Sequence, residues 1–585
     1  MTLRDRALIA VLSVALVALS GVTLASSFEP ATGDQGGGPG ASGGPTARPY
    51  VEGVVGHATN ASPFGARSAA DRDLVALLFR GLVRLGPGTS LVPDLANRWE
   101  VDPSGSRWTF HLRPNQYWDD GAPITSDDVA FTIGILSDPT YTGPGATSWR
   151  EVSATALDPL TVELDLTTPL GGFLQAATQP IAPAHLLAGI DPSALPDDPF
   201  GQSPVGDGPF RLTSLDASKA TLEAVAGSAG GQGPATGPDG GPIFATPRPT
   251  DSLATAAPTA PPDLAVPYLD GIEFRFFDDA AALRAAWDLG SLDGASGLMP
   301  ADALALGATP GARVMRYPGT TLLAVDLDLR PAQTPFGDAA VRKALLEAID
   351  RNALVSLVLD GLGTRADSLV PPTSPLAGAS PPTVIAYDPA AAKAALTAAG
   401  WKQAAGSWTP KGAKAPLSIQ VLCPEETANP IAYAAAQTVV NGWQAIGLDA
   451  ELTPLPAAEL LGNRLKPGGF QAAVLPLAMG LDPDLYPLLA SSQTRTGGSN
   501  VSGLQDPSLD RLLAAARGPG SDAARQAAWK GLEARLDAGQ FILPLAFRDE
   551  YVVLRDTLTG PTPRPVGTAG DRFWDVLTGR LLVGR

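Results

Sequence analysis

The chain has 585 residues, too many for one ordinary core, so two or more domains are expected. Its 41 Lys and Arg against 59 Asp and Glu leave a net charge of −18, with no Lys/Arg-rich run, which argues against a nucleic-acid partner held by a basic face. The single cysteine, Cys423, rules out an internal disulfide and a cysteine-rich metal centre, and it is expected to be an ordinary buried side chain.

Arg4 and Arg6 precede an uncharged run from Ala7 to Ser27, long enough to cross a bilayer of about 30 Å as a helix. Residues 1–27 therefore read as an export signal or an uncleaved anchor. Positive charge ahead of the run keeps the N-terminus cytoplasmic and places the bulk of the chain outside. Thr23-Leu24-Ala25 is only a fair cleavage pattern, which favours the anchor, and no cysteine sits nearby to carry a lipid. Residues 28–47, rich in Gly, Pro, Ser and Thr, cannot bury enough apolar surface to fold and form a tether. The GxSxG string GASGG, Gly40 to Gly44, falls in this tether, without the strand and helix that a nucleophile elbow needs.

Further along, Trp108, Phe110 and Leu112 alternate with polar residues at the period of a strand with one buried face. Asp119, Asp120, Gly121 and Pro123 supply turn chemistry, and Thr125 with Asp128 has the spacing of a capping box opening a helix. Residues 227–262 form a second Gly/Pro-rich stretch, read as a surface loop insertion because ordered-looking sequence flanks it. Strands are expected at Gly271 to Phe277 and Leu322 to Leu327. A helix after Asp338 carries Val341, Leu345 and Ile349 on one face and a Lys343–Glu347 pair on the other. Three Asp-Pro pairs, at Asp388, Asp482 and Asp506, have the pattern of an N-cap followed by proline in the first turn, the second of them opening a short or kinked helix because of Pro487. The pattern is mixed α/β.

No catalytic constellation emerges. A phosphate loop is missing, for no GK[ST] occurs, and His57, His111 and His185 have no metal-ligand spacing. Paired acids such as Asp119-Asp120 and Asp127-Asp128 have the chemistry for general acid/base work, but in turns and first helical turns they are usually solvated caps.

The segment LVPDLANRWEVDPSGSRWTFHLRPNQYWDDGAPITSDDVAFTI, Leu91 to Ile133, strongly resembles the signature region of family 5 extracytoplasmic solute-binding proteins, the peptide-binding receptors of ABC importers. Further blocks follow in family order: LLFRGLVRL, SPVGDGPFRL, YLDGIEFRFFDDAAALRAAWDLGSLDG, TPFGDAAVRKALLEAIDRNALVSLVLDGLG, YDPAAAKAALTAAGW and ARLDAGQFILPL. The resemblance implies an α/β, two-lobed fold of the class II periplasmic-binding-protein type with an extra domain on the first lobe. On that pattern lobe 1 takes residues 48–65, 200–316 and 545–585, the extra domain 66–199, and lobe 2 residues 317–544. It also implies a monomer with no cofactor that takes a peptide or other small solute and partners ABC permease subunits, while the Ala7 to Ser27 run is what is expected to hold the chain at the membrane. An oligopeptide is the default ligand, with a sugar or nickel chelate open within the family.

Carried over residue by residue, Ala58, Thr59 and Asn60 in GHATNASP match the loop that in the family offers backbone to the ligand, Arg464 in ELLGNRLKPGGF lies next to a position where peptide binders use Arg towards a ligand carboxylate, and in PLAMGLDPD the amine-binding position falls at Met479 or Gly480, with Asp482 the nearest acid. A simple turn is the alternative for 58–60, a solvated helix face for Arg464 and a helix N-cap for Asp482. Peptide binders hold the ligand's amino group with an Asp a few residues before the Asp-Pro pair; here that position is Met479 or Gly480, so a free amine need not be recognised. Leu477, Ala478 and Met479 imply a predominantly apolar pocket. The rival readings are a hydrolase using paired carboxylates, and a homologue serving as a sensor or envelope factor.

Overall fold

A computed structural model describes residues 48–225, 269–330, 335–377, 382–404, 406–495, 498–518 and 522–581. The expected anchor (1–27), tether (28–47) and insertion (227–262) lie outside the described residues. Among the described residues no helix is long and apolar enough to cross a membrane.

Among the described residues one sheet of eleven strands organises the fold. Its middle is a pair of long antiparallel strands, Ala312–Leu327 and Ile542–Arg555. On one side of this pair, Ala472–Ala478, Ser418–Pro424 and Asp449–Leu455 run parallel to each other; on the other, Gly294–Ser296, Tyr50–Val55 and Gly271–Phe277 do the same. The hairpin strands Lys219–Ala224 and Phe210–Leu215 complete that edge. Ala220 pairs directly with Phe274, so the strands on either side of residues 226–268 are neighbours in the sheet.

The core changes hands within a few residues of the long strands. Met315, Tyr317 and Val552 pack with Tyr50, Leu74 and Phe274, whereas Leu322, Leu323 and Phe547 pack with Leu345, Trp443 and Trp529. Between these cores the ladder is interrupted: Tyr317 opposes Glu550 and Thr321 opposes Arg548, with an irregularity between. Pro318 has no N–H to donate. At Gly319 any Cβ would lie 2.1 Å from the Arg548 carbonyl oxygen, so only glycine fits. The Thr320 N–H turns aside to Val566 O at 3.2 Å. Two lobes, each with its own core, are therefore joined by a strand pair that is weakest where it crosses.

A separate antiparallel sheet, Ala96–Val101, Arg107–Leu112, Thr161–Leu166 and Val152–Asp158, carries the expected strand with Trp108, Phe110 and Leu112 buried. Asp120 accepts from the Ala122 N–H (3.0 Å) in the turn, and the helix Ser126–Ser137 opens with Thr125 and Asp128 in a complete capping box. Elsewhere Asp338, Asp388 and Asp506 each cap a helix, at Ala339–Glu347, Pro389–Ala398 and Pro507–Arg517, and Lys343 reaches Glu347 at 3.6 Å. Asp482 does not: the nearby helix is Tyr486–Leu489, and the Tyr486 N–H is met by Asp484 at 3.0 Å. The reason is competition, because an arginine takes both Asp482 oxygens.

Candidate functional site

Parallel strands leave their carboxyl ends open for ligands, because the connecting loops there are free to diverge. Register shows where these ends point. Ala478 lies opposite Thr321 while Ala472 lies opposite Leu327, so the second lobe's parallel strands end at the crossing. Gly294 and Ala295 oppose Leu554 and Val553, so the first lobe's strands also ascend towards Glu550 and the crossing. Two sets of carboxyl ends thus converge from opposite sides on residues 317–321 and 548–550.

On the first lobe the loop after Val55 is held from within. Asp71, in the first turn of the helix Ala69–Leu78, accepts from the Thr59 N–H (2.7 Å) and the Asn60 N–H (3.0 Å) through one oxygen, and from the Arg67 and Ser68 N–H groups through the other. Asn60 accepts from the Ser62 N–H (2.8 Å) and donates to Pro196 O (3.0 Å); Gln202 donates to the Thr59 carbonyl. Ala58 is buried in the core and Thr59 is exposed. The loop is rigid, and the amide protons of Thr59 and Asn60 are spent on the protein itself.

On the second lobe, Met479 turns inward, 6% exposed, with its N–H on Thr320 O at 3.2 Å; Pro476 and Ala478 are the exposed residues of this strand end. Asp482 follows three residues later, and Arg525 Nη2 donates to both its oxygens at 2.7 and 2.8 Å. Arg464 is elsewhere. It donates to Gly469 O (2.8 Å) and Gln420 Oε1 (3.1 Å), at the amino ends of the parallel strands, where it lines an open groove of about 650 Å3 with Lys411, Gln420 and Gln471. The structure therefore brings Met479 and Asp482 to the crossing and leaves Arg464 at the opposite end of the lobe, because the helical turn that carries it runs back along the strands before Ala472 begins.

Sequence reasoning missed the polar floor. Arg548 donates to Glu550 Oε1 at 2.7 Å, while its Nε, like the Thr320 hydroxyl, is buried without a hydrogen-bond partner among the described residues. Beneath lies a charge cluster: Arg572 Nη2 donates to Glu52 Oε1 and to Asp73 Oδ2, both at 2.7 Å, and the Tyr50 hydroxyl (2.8 Å) and Ser296 hydroxyl (2.6 Å) complete Glu52. Burial works against the Arg572 charge, but Asp73 and Glu52 outweigh it and hold the guanidinium above its ordinary value. An acid in the otherwise apolar strand YVEGVV was the available signal for Glu52; nothing local marked Arg572.

His57, His111 and His185 face Asp278, Glu100 and Asp120 in three separate places, and among the described residues no cluster has the makings of a metal site. Asp120 is held below the usual carboxylate range by the His185 hydrogen bond. Asp128 is a cap, and burial pushes the Cys423 thiol up to about 11, so it is not a nucleophile at neutral pH.

Residues 90–500 match the family model for bacterial extracellular solute-binding proteins, family 5. Similar proteins include Protein XP55 of Streptomyces lividans, 28% identical with 88% of this chain and 86% of that one covered. The nickel-binding periplasmic protein of Escherichia coli strain K12 is 23% identical, over 84% of this chain and 88% of that one. Among solved structures, the oligopeptide-binding protein AppA from Bacillus subtilis in complex with a nonapeptide superposes with a TM-score of 0.69 at 20% identity, covering 91% of this chain and 100% of that one. At such identity the likeness carries the fold.

Proposed function

This chain belongs to the bacterial extracellular solute-binding proteins of family 5, and from that membership we propose that it is an ABC-importer receptor that captures a peptide or similar small solute between its lobes and hands it to a membrane permease. The observation that carries the reading is the arrangement at the crossing, with two sets of parallel-strand ends converging from opposite sides on one interrupted strand pair. Ligand contacts present only when the lobes meet shift the population to the closed form. The division into lobe 1 (48–65, 200–316, 545–585), extra domain (66–199) and lobe 2 (317–544) is part of this proposal, supported by the separate cores.

Family membership supports binding and not turnover as the chain's mode of action. Of the expected contacts, the 58–60 loop and the strand end at Ala478 to Asp482 remain in the proposed site, joined by Arg548; Arg464 does not. With Asp482 neutralised by Arg525 and Pro476 and Ala478 exposed, a free ligand amine is dispensable and the wall is apolar. A thermal-shift comparison of free and N-acetylated peptides tests this: equal stabilisation is expected, and a strict requirement for the free amine, lost in Asp482→Asn, contradicts it.

Export and anchoring through Ala7 to Ser27 complete the reading. The full chain is expected in the membrane fraction with its N-terminus intact; a mature N-terminus near Ser26 in the soluble extracellular fraction refutes the anchor and leaves export standing.

A further inference from the structure

We propose that the loop Leu170 to Gly172 clasps the second lobe beside Asp482, closing one end of the cleft so that only short ligands fit. The proposal deepens the receptor reading and rests on it.

The contact is built from several independent interactions. The Gly171 N–H donates to Arg517 O at 2.9 Å, bridging a segment next to the four-stranded sheet and a helix of the second lobe. At Gly171 a Cβ would sit 2.8 Å from Arg525 Nε and 2.9 Å from the Gly518 carbonyl oxygen; at Gly172 it would sit 2.7 Å from the Asp482 carboxyl carbon. Neither glycine has a positive φ, so close approach and not backbone conformation is what demands them. Arg525 spans the joint, gripping Asp482 with Nη2 while its Nε lies against Gly171. Between Leu170, Asp482, Arg517 and Arg525 only about 10 Å3 is left, room for one water at most. A second tie, Arg495 to Glu151 at 3.0 Å, lies at the surface of the same joint.

Length follows from position. Met479 is fixed to the crossing through Thr320, and Asp482 is fixed to the clasp. Three residues span at most about 11 Å of chain, so a ligand that runs along this wall from Met479 meets the clasp within about three extended residues. A longer chain must part the clasp.

The test uses two readouts on residues 48–585. In the ligand-free protein, Glu151→Cys with Arg495→Cys is treated with a short bis-maleimide; Cys423 is buried and stays silent. Binding of alanyl di-, tri- and nonapeptides is then measured for wild type, for Gly172→Val, and for Arg525→Ala with Glu151→Ala, the second variant guarding against misfolding of the first. Crosslinking is expected, with the nonapeptide bound at least about tenfold more weakly than the tripeptide by wild type and regaining at least about tenfold in both variants. Absence of crosslinking, or a nonapeptide bound by wild type as tightly as the tripeptide, overturns the clasp. Crosslinking with no peptide of any length bound upholds the clasp and refutes the peptide reading instead.

Discussion

Replacing Arg572 with methionine removes the cation that, among the described residues, pairs with both Glu52 and Asp73, side chains 1% and 5% exposed, and so strands two carboxylates in the first lobe's interior. Breaking a buried ion pair from one side costs roughly 3–5 kcal/mol, because the lost Coulomb attraction no longer offsets desolvation. The cost must depend on pH. Burial already pushes Asp73 up to about 7 with Arg572 pulling against it, and without Arg572 the native Asp73 holds its proton to still higher pH. An acid whose native pKa exceeds its unfolded value loses stability as pH rises between the two, since the native state keeps a proton that the unfolded chain releases. Urea midpoints of residues 48–585 should therefore drop less for Arg572→Met at pH 5 than at pH 8, and adding Glu52→Gln and Asp73→Asn should restore more than half of the loss. A deficit below about 1 kcal/mol, or one equal at both pH values, refutes this account of the cluster.

Three further outcomes are expected. Burial alone raises Asp326, on the strand between Ala473 and Ile542, to about 7; its stability contribution falls as pH rises from about 4 to 7, and Asp326→Asn should flatten that slope in urea titrations by on the order of a few kcal/mol. Deleting residues 230–261, which join two directly paired strands, should leave the melting temperature within a few degrees of wild type and binding unchanged. Arg548→Ala should weaken tripeptide binding at least about tenfold while far-ultraviolet circular dichroism stays constant, since the Arg548 Nε at the crossing is a donor without a partner among the described residues.

Local rules carried most of the fold. Alternation placed Trp108, Phe110 and Leu112 on a buried face, and Asp388 and Asp506 each cap a helix through one oxygen, Asp506 doing so although Arg535 takes its other oxygen. Asp482 shows where such rules end: the same Asp-Pro pattern is present, but Arg525, more than forty residues later, takes the carboxylate, and no local pattern announces a partner that distant. Arg464 lies away from the crossing for a related reason. A motif places a residue along the chain, but which end of a parallel strand it reaches depends on how far the preceding helical turn runs back, and here it runs to the amino end. Glu52, Asp73 and Arg572 come from three distant segments and meet only through the first lobe's packing. Gly171 and Gly172 read as ordinary loop glycines until the second lobe is seen against them.

The central claim, that this chain binds a small solute between its lobes and releases it unchanged, is tested most directly by equilibrium dialysis of residues 48–585 against a di- and tripeptide mixture, followed by mass spectrometry of the bound and free fractions. The account predicts retention saturating at one peptide per chain, every peptide recovered intact, and a stabilisation of about 2.7 kcal/mol at a hundredfold excess over Kd. Cleaved peptides in the free fraction would make the chain a hydrolase, and retention no greater than that of an unrelated protein would contradict the peptide-receptor account.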